Sequence, residues 1–89
     1  MTLTGNCIKD NRVVDTATVV IDDPDMSFHD QLETGLLELC QILHLTTPIW
    51  MKKNTVQLSA IAAATFDRDQ FMDADSMRID KFEIRLERH

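Results

Sequence analysis

The hydrophobic period of this chain changes twice, from strand-like to helical and back. Residues 1–22 read mostly as strands, residues 27–45 repeat at the spacing of one amphipathic helix, and residues 78–87 alternate again. A short apolar stretch, residues 49–51, reads as a further strand between them. A hairpin, a helix laid across one face and later strands returning beside it lead to a small α+β domain with one core. At 89 residues, the expectation is a single domain over 1–89.

The local signals are uneven. Asp10 and Asn11 tolerate positive φ and suit a two-residue hairpin turn between residues 2–9 and 12–21. Alternation in the second strand is imperfect. One face carries Val13, Ala17, Val19 and Ile21, and the other Val14, Thr16, Thr18 and Val20. The first set is the expected core face, and a bulge near the turn would shift the pairing by one residue. Pro24 breaks the strand, and Ser27 with Asp30 three positions on opens the helix. Its apolar stripe is Phe28, Leu32, Leu36, Leu39, Cys40 and Leu43. Gly35 on the same stripe implies a helix backbone lying close to the sheet.

After Pro48 the pattern weakens. Asn54 and Gln57 suit the opening of a short helix that the Ala62-Ala63-Ala64 run would favour. Phe66 and Phe71 are expected to pin the connection to the core. In the last strand Phe82, Ile84 and Leu86 face inward and Lys81, Glu83, Arg85 and Glu87 outward, with a bend near Asp80.

Charge excludes some functions. The net charge is −6, and no Lys or Arg falls between Val13 and Met51. Nucleic-acid binding in its common electrostatic form needs clustered cations and is disfavoured. The acidic stretch is either a solvated face or a docking face for a basic partner. No apolar run approaches the ~20 residues of a membrane span, and no secretory leader pattern is seen, so the expected location is cytoplasmic. Cys7 and Cys40 read as buried, reduced thiols.

No constellation identifies a reaction. His29, His44 and His89 are scattered, and neither cysteine belongs to a Cys-x-x-Cys pair, so zinc has no evident ligand set. A calcium loop starting at Asp67 would need Gly and Glu where Met72 and Arg78 stand. Cys40 and His44 are spaced to touch on a helix, but Cys40 lies on the buried stripe of an acidic segment. With glycine only at positions 5 and 35, there is no phosphate-binding loop. No catalytic, cofactor-binding or metal residue is therefore assigned, and no cofactor is implied. What remains is a candidate interaction patch, Trp50 with Lys52 and Lys53, in which Trp50 is either core or interface anchor.

Hairpin, long helix, short strand, small helix and final strand, in that order, resemble the β-grasp arrangement of ubiquitin-like proteins. The resemblance implies a mixed sheet whose last strand runs beside and parallel to the first. Ubiquitin and its sulfur-carrier relatives end in Gly-Gly; this chain ends Arg85-Leu86-Glu87-Arg88-His89, so carrier chemistry is not implied. Residues 8–12 at the hairpin, Pro48-Ile49-Trp50-Met51 and the run from Phe71-Met72 to Leu86 resemble a family of small bacterial proteins with no established activity. The expectation is a non-enzymatic interaction or accessory module with a protein partner. A sheet edge offers a route to self-association. The competing expectation is a small-molecule or metal binder, or an enzyme subunit whose site forms on assembly.

Overall fold

The computed structural model describes residues 1–88. His89 lies outside them. β1 (Thr2–Lys9) and β2 (Arg12–Val20) form the hairpin, and Asp10 and Asn11 take φ of 52° and 62° in its turn. Both central residues at positive φ match the right-handed twist of the flanking strands. The anticipated bulge is present. The register slips between Cys7 and Ile8, so that Cys7 faces Asp15 and Ile8 faces Val13. The slip has a direct effect on the core face. Val19 and Ile21 are buried and Ala17 half-buried, but Val13, beyond the bulge, is 58% exposed.

α1 (Phe28–Ile42) starts where Ser27 Oγ accepts the Asp30 N–H at 3.1 Å. Leu32, Gly35, Leu36, Leu39 and Cys40 are its buried residues. Gly35 lies against the hairpin: a Cβ there would sit 3.0 Å from Leu3 Cδ2 and 3.5 Å from Ile21 Cγ1. The helix ends in a Schellman-type turn, Leu45 N–H donating to Cys40 C=O and His44 N–H to Gln41 C=O. His44 takes the left-handed position, φ 57°, that glycine usually fills. Arg78 Nη2 donates to the Leu43 carbonyl at 2.8 Å and so satisfies another group of this terminus.

The middle of the chain corrects the expected order. Residues 49–51 are not a ladder strand. Ile49 is held by Gln70, whose C=O accepts the Ile49 N–H at 2.7 Å and whose Nε2 donates to the Ile49 carbonyl at 3.0 Å. The small helix follows as α2 (Lys52–Ile61), and the short strand comes after it as β3 (Ala63–Asp67). Ala62 closes α2 with φ 55°, and Ala63 and Ala64 enter the sheet despite their helical propensity. Pairing of Ala64 with Ile84 and Phe66 with Phe82 overrides that local preference. Two short 3-10 turns, Arg68–Gln70 and Ala74–Ser76, lead to β4 (Lys81–Glu87). β4 starts at residue 81 rather than 78 because Arg68 Nε and Nη2 clamp the Ile79 carbonyl at 3.2 and 3.1 Å.

The class is α+β, with strand order β2-β1-β4-β3. β4 lies between β1 and β3, as in the β-grasp order, but it runs antiparallel to β1. The sheet is antiparallel throughout, not mixed. The direction follows from α2. Where a β-grasp chain would descend as a strand, this chain descends as a helix, so β3 ascends and β4 returns downward. Leu3, Cys7, Phe82, Ile84, Ala64 and Phe66 face α1 and form the core with its stripe. Gly5 sits beneath Phe82; a Cβ at residue 5 would fall 2.8 Å from the ring, so only glycine lets the ring cross the strand there.

Candidate functional site

α1 and α2 flank a cleft of about 450 Å³. α1 contributes Phe28, Leu32 and Leu36, α2 contributes Thr55, Leu58 and Ser59, and Thr47, Pro48 and Trp50 close one end. A second hollow of about 440 Å³ shares Phe28, Leu58 and Ser59 and runs on to Leu86 and Arg88. The guanidinium of Arg88 lies 4.4 Å from the centroid of the Phe28 ring, a cation–π contact. Phe28, read from its spacing as a core residue, is 39% exposed at this shared wall.

Trp50 is half-buried, one part of its ring packed inward and another left at the surface. Its ring meets Phe66 edge-on, with centroids 5.6 Å apart, and its Nε1–H donates to Thr55 Oγ1 at 2.8 Å. The remaining surface of the ring lines the cleft. Lys52 is exposed next to it, whereas Lys53 is tied to Asp67 and bridges α2 to the end of β3. The three residues therefore do not form one patch of equal members. Trp50 lines the cleft, Lys52 is exposed, and Lys53 is engaged in the fold.

The end of the cleft beside Trp50 is set by a buried amide pair. Asn54 and Gln70 are both fully buried. Asn54 Oδ1 accepts from Met51 N–H at 2.9 Å and from Gln70 Nε2 at 2.8 Å, while Asn54 Nδ2 donates to the Thr65 carbonyl at 2.9 Å. Gln70 Oε1 accepts the Asp67 N–H at 2.9 Å, and Gln57 Oε1 accepts the Thr65 N–H at 2.9 Å. Three side-chain amides thus take the Thr65 N–H and C=O and the Asp67 N–H on the outer edge of β3. No buried side-chain polar atom among the described residues lacks a partner.

Titratable groups add little chemistry. His29 Nε2 lies 3.7 Å from Glu33 Oε2 on the exposed surface of α1. With Asp30 these side chains form the one group of three metal-competent ligands found among the described residues, all exposed and within 4.8 Å of one another. The acids of residues 67–75 form no such group there. Asp73 accepts a hydrogen bond from Thr46 at 2.6 Å and Asp67 holds Lys53. Cys7 and Cys40 are free and buried, as expected. Burial, and then the neighbouring Cys7, push the Cys40 thiol up to about 11, and burial raises Cys7 as well. Such thiols are protonated at neutral pH and are poor nucleophiles.

Spacing along the chain named Trp50 but not its companions in the cleft. Leu58 and Ser59 carry no signal that α2 will lie beside α1. Nothing in the sequence sets Gln70 apart from the residues around it. No helix among the described residues is long and apolar enough to cross a membrane. No family model matches the chain, and no curated protein or solved structure is found to match it.

Proposed function

We propose that this chain is a non-catalytic interaction module that receives an apolar segment of a partner protein in the cleft between α1 and α2. What supports the reading is the cleft itself, about 450 Å³ walled by Phe28, Leu32, Leu36, Trp50 and Leu58. A large aromatic and several aliphatic side chains around a concavity suit an anchoring side chain from another protein. Asp30 and Glu33 stand exposed beside the cleft and, with the net charge of −6, favour a partner that is basic around its apolar anchor.

Ser59 is exposed and lines the cleft, so Ser59→Phe would fill it without touching the core. A partner captured from native lysate by the wild-type chain should be lost with Ser59→Phe, and its purified form should shift Trp50 emission. Capture unchanged by Ser59→Phe would refute the cleft as the site. A second reading, a small apolar molecule as the occupant, is favoured by the volume, which falls within the roughly 300–1,000 Å³ of ligand sites. Native mass spectrometry separates the two through a bound small mass that Ser59→Phe removes.

A further inference from the structure

We propose that residues 16–20 of β2 pair antiparallel with the same residues of a second copy, about a two-fold axis through Thr18. The sheet has two edges, β2 and β3. The fold treats them differently. On β3, Gln57 and Asn54 occupy the Thr65 N–H and C=O, and Gln70 occupies the Asp67 N–H, so no strand can add there. On β2 only the Thr16 N–H is taken, by Asp15 Oδ1 at 3.0 Å; the N–H and C=O of Thr18, at the proposed axis, carry no such cover.

Its geometry follows from the pairing with β1. Met1 N and Ile21 O are 2.7 Å apart and Ile21 N and Met1 O 2.9 Å, so Met1 and Ile21 form a bonded pair. Alternation along an antiparallel ladder then turns the backbone N–H and C=O of Thr16, Thr18 and Val20 away from β1. On the sheet face, the side chains of Thr16 and Thr18 are already fixed. Thr18 Oγ1 lies 3.1 Å from Thr4 Oγ1, and Thr16 Oγ1 donates to Asn6 Oδ1 at 2.8 Å. The edge is held straight and needs little ordering to accept a strand.

The occupant is identified by self-complementarity. With Thr18 opposite Thr18, Thr16 falls opposite Val20, and both outer-face pairs are β-branched, which cross-strand packing favours. On the core face, half-buried Ala17 falls opposite buried Val19, extending the apolar layer across the join. No charged residue lies within 16–20, and Asp15 falls opposite Ile21, so like charges do not meet. The usual guards against edge pairing are charge, proline, a bulge or a cover. Here the bulge and Asp15 sit toward the turn; Asp15 caps the Thr16 N–H, which a second copy would have to displace, and residues 17–20 are left unguarded. Val20, 65% exposed, would be covered by the pairing. An edge this short buries less than the roughly 1,200 Å² of a stable interface, so dissociation in the micromolar range is expected. The proposal is independent of the cleft.

Sedimentation velocity from about 1 to 500 μM tests it. The wild-type chain should pass from monomer to dimer. Thr18→Pro removes an outward N–H that β1 does not use and should weaken the dimer at least tenfold; Val20→Lys should do the same. Hydrogen exchange on the wild-type chain needs no variant: the Thr18 amide should slow as concentration rises, while the Thr65 amide should not. A monomer across the range, a dimer that survives both substitutions, or a Thr18 amide indifferent to concentration would each overturn the proposal.

Discussion

Removing Asn54 should expose how much of this fold hangs on one buried amide. Asn54→Ala strips a partner from the Met51 N–H, the Thr65 carbonyl and one hydrogen of Gln70 Nε2. A buried polar group left without a partner costs about 1–3 kcal/mol. Met51 is exposed and Thr65 half-buried, so both will recover some hydration; the lower end applies, and the three together amount to about 3–5 kcal/mol. In a domain of this size each kcal/mol moves Tm by about 4–8 °C, which places the variant about 12–40 °C below wild type. Gln70→Ala removes the shared Nε2–Oδ1 bond as well as those to Ile49 and Asp67. The double variant should therefore lose less than the sum of the singles, by about 1–2 kcal/mol. Asn54→Asp retains the acceptors but buries a carboxylate. Its folded-state pKa is raised, so its loss should lessen as pH falls and the group is protonated. Urea unfolding of the four proteins at pH 7, with thermal melts for Asn54→Asp down to pH 4, is the assay. Losses below 1 kcal/mol that simply add would refute the account.

Two further outcomes follow from the backbone and the buried thiols. His44→Gly relieves an αL conformation that costs an L-residue about 1–2 kcal/mol, against about 0.5–1 kcal/mol of added chain entropy, so Tm should rise by a few degrees; an unchanged or lower Tm would contradict this. Because the folded Cys40 thiol titrates near 11 and an exposed one near 9, the folded state holds its proton longer, and stability is intact below pH 9 and falls between 9 and 11. The limit is about 2–3 kcal/mol, and urea unfolding of wild type should show a steeper alkaline loss than Cys40→Ala. Equal slopes would contradict the assignment.

The parts that were legible in the sequence are those where one local rule acts alone. Asp10-Asn11 demanded a tight turn, Ser27 a helix start, and the alternation of Phe82 and Ile84 a strand with one buried face. Gly35 was read correctly as a close approach, and its contacts with Leu3 and Ile21 show why. The misread region is residues 49–67, where local and tertiary preferences conflict. The alanines at 63 and 64 favour helix, but β4 presents Ile84 and Arg85 as partners and their small side chains fit. Ile49 looks like a strand residue and does pair on both its backbone groups, but with Gln70 rather than with the sheet. The cleft was only half visible. Trp50 announces itself by rarity, whereas Leu58 matters because α2 descends beside α1, and no periodicity encodes that placement.

The antiparallel return of β4 also sets an order of events during synthesis. Of the four strands β1 is made first, and its neighbour β2 is a tight turn away. Its other neighbour is the last of these four strands to be made, with Thr2 facing Glu87. Throughout translation the flank of β1 reserved for β4 is an unpaired edge, and Leu3 and Cys7 lack the cover of Phe82 and Ile84. Pairing over so long a separation is slow, because loop closure must precede its reward. The nascent chain is thus most open to wrong pairing along a strand that ends up internal to the finished sheet.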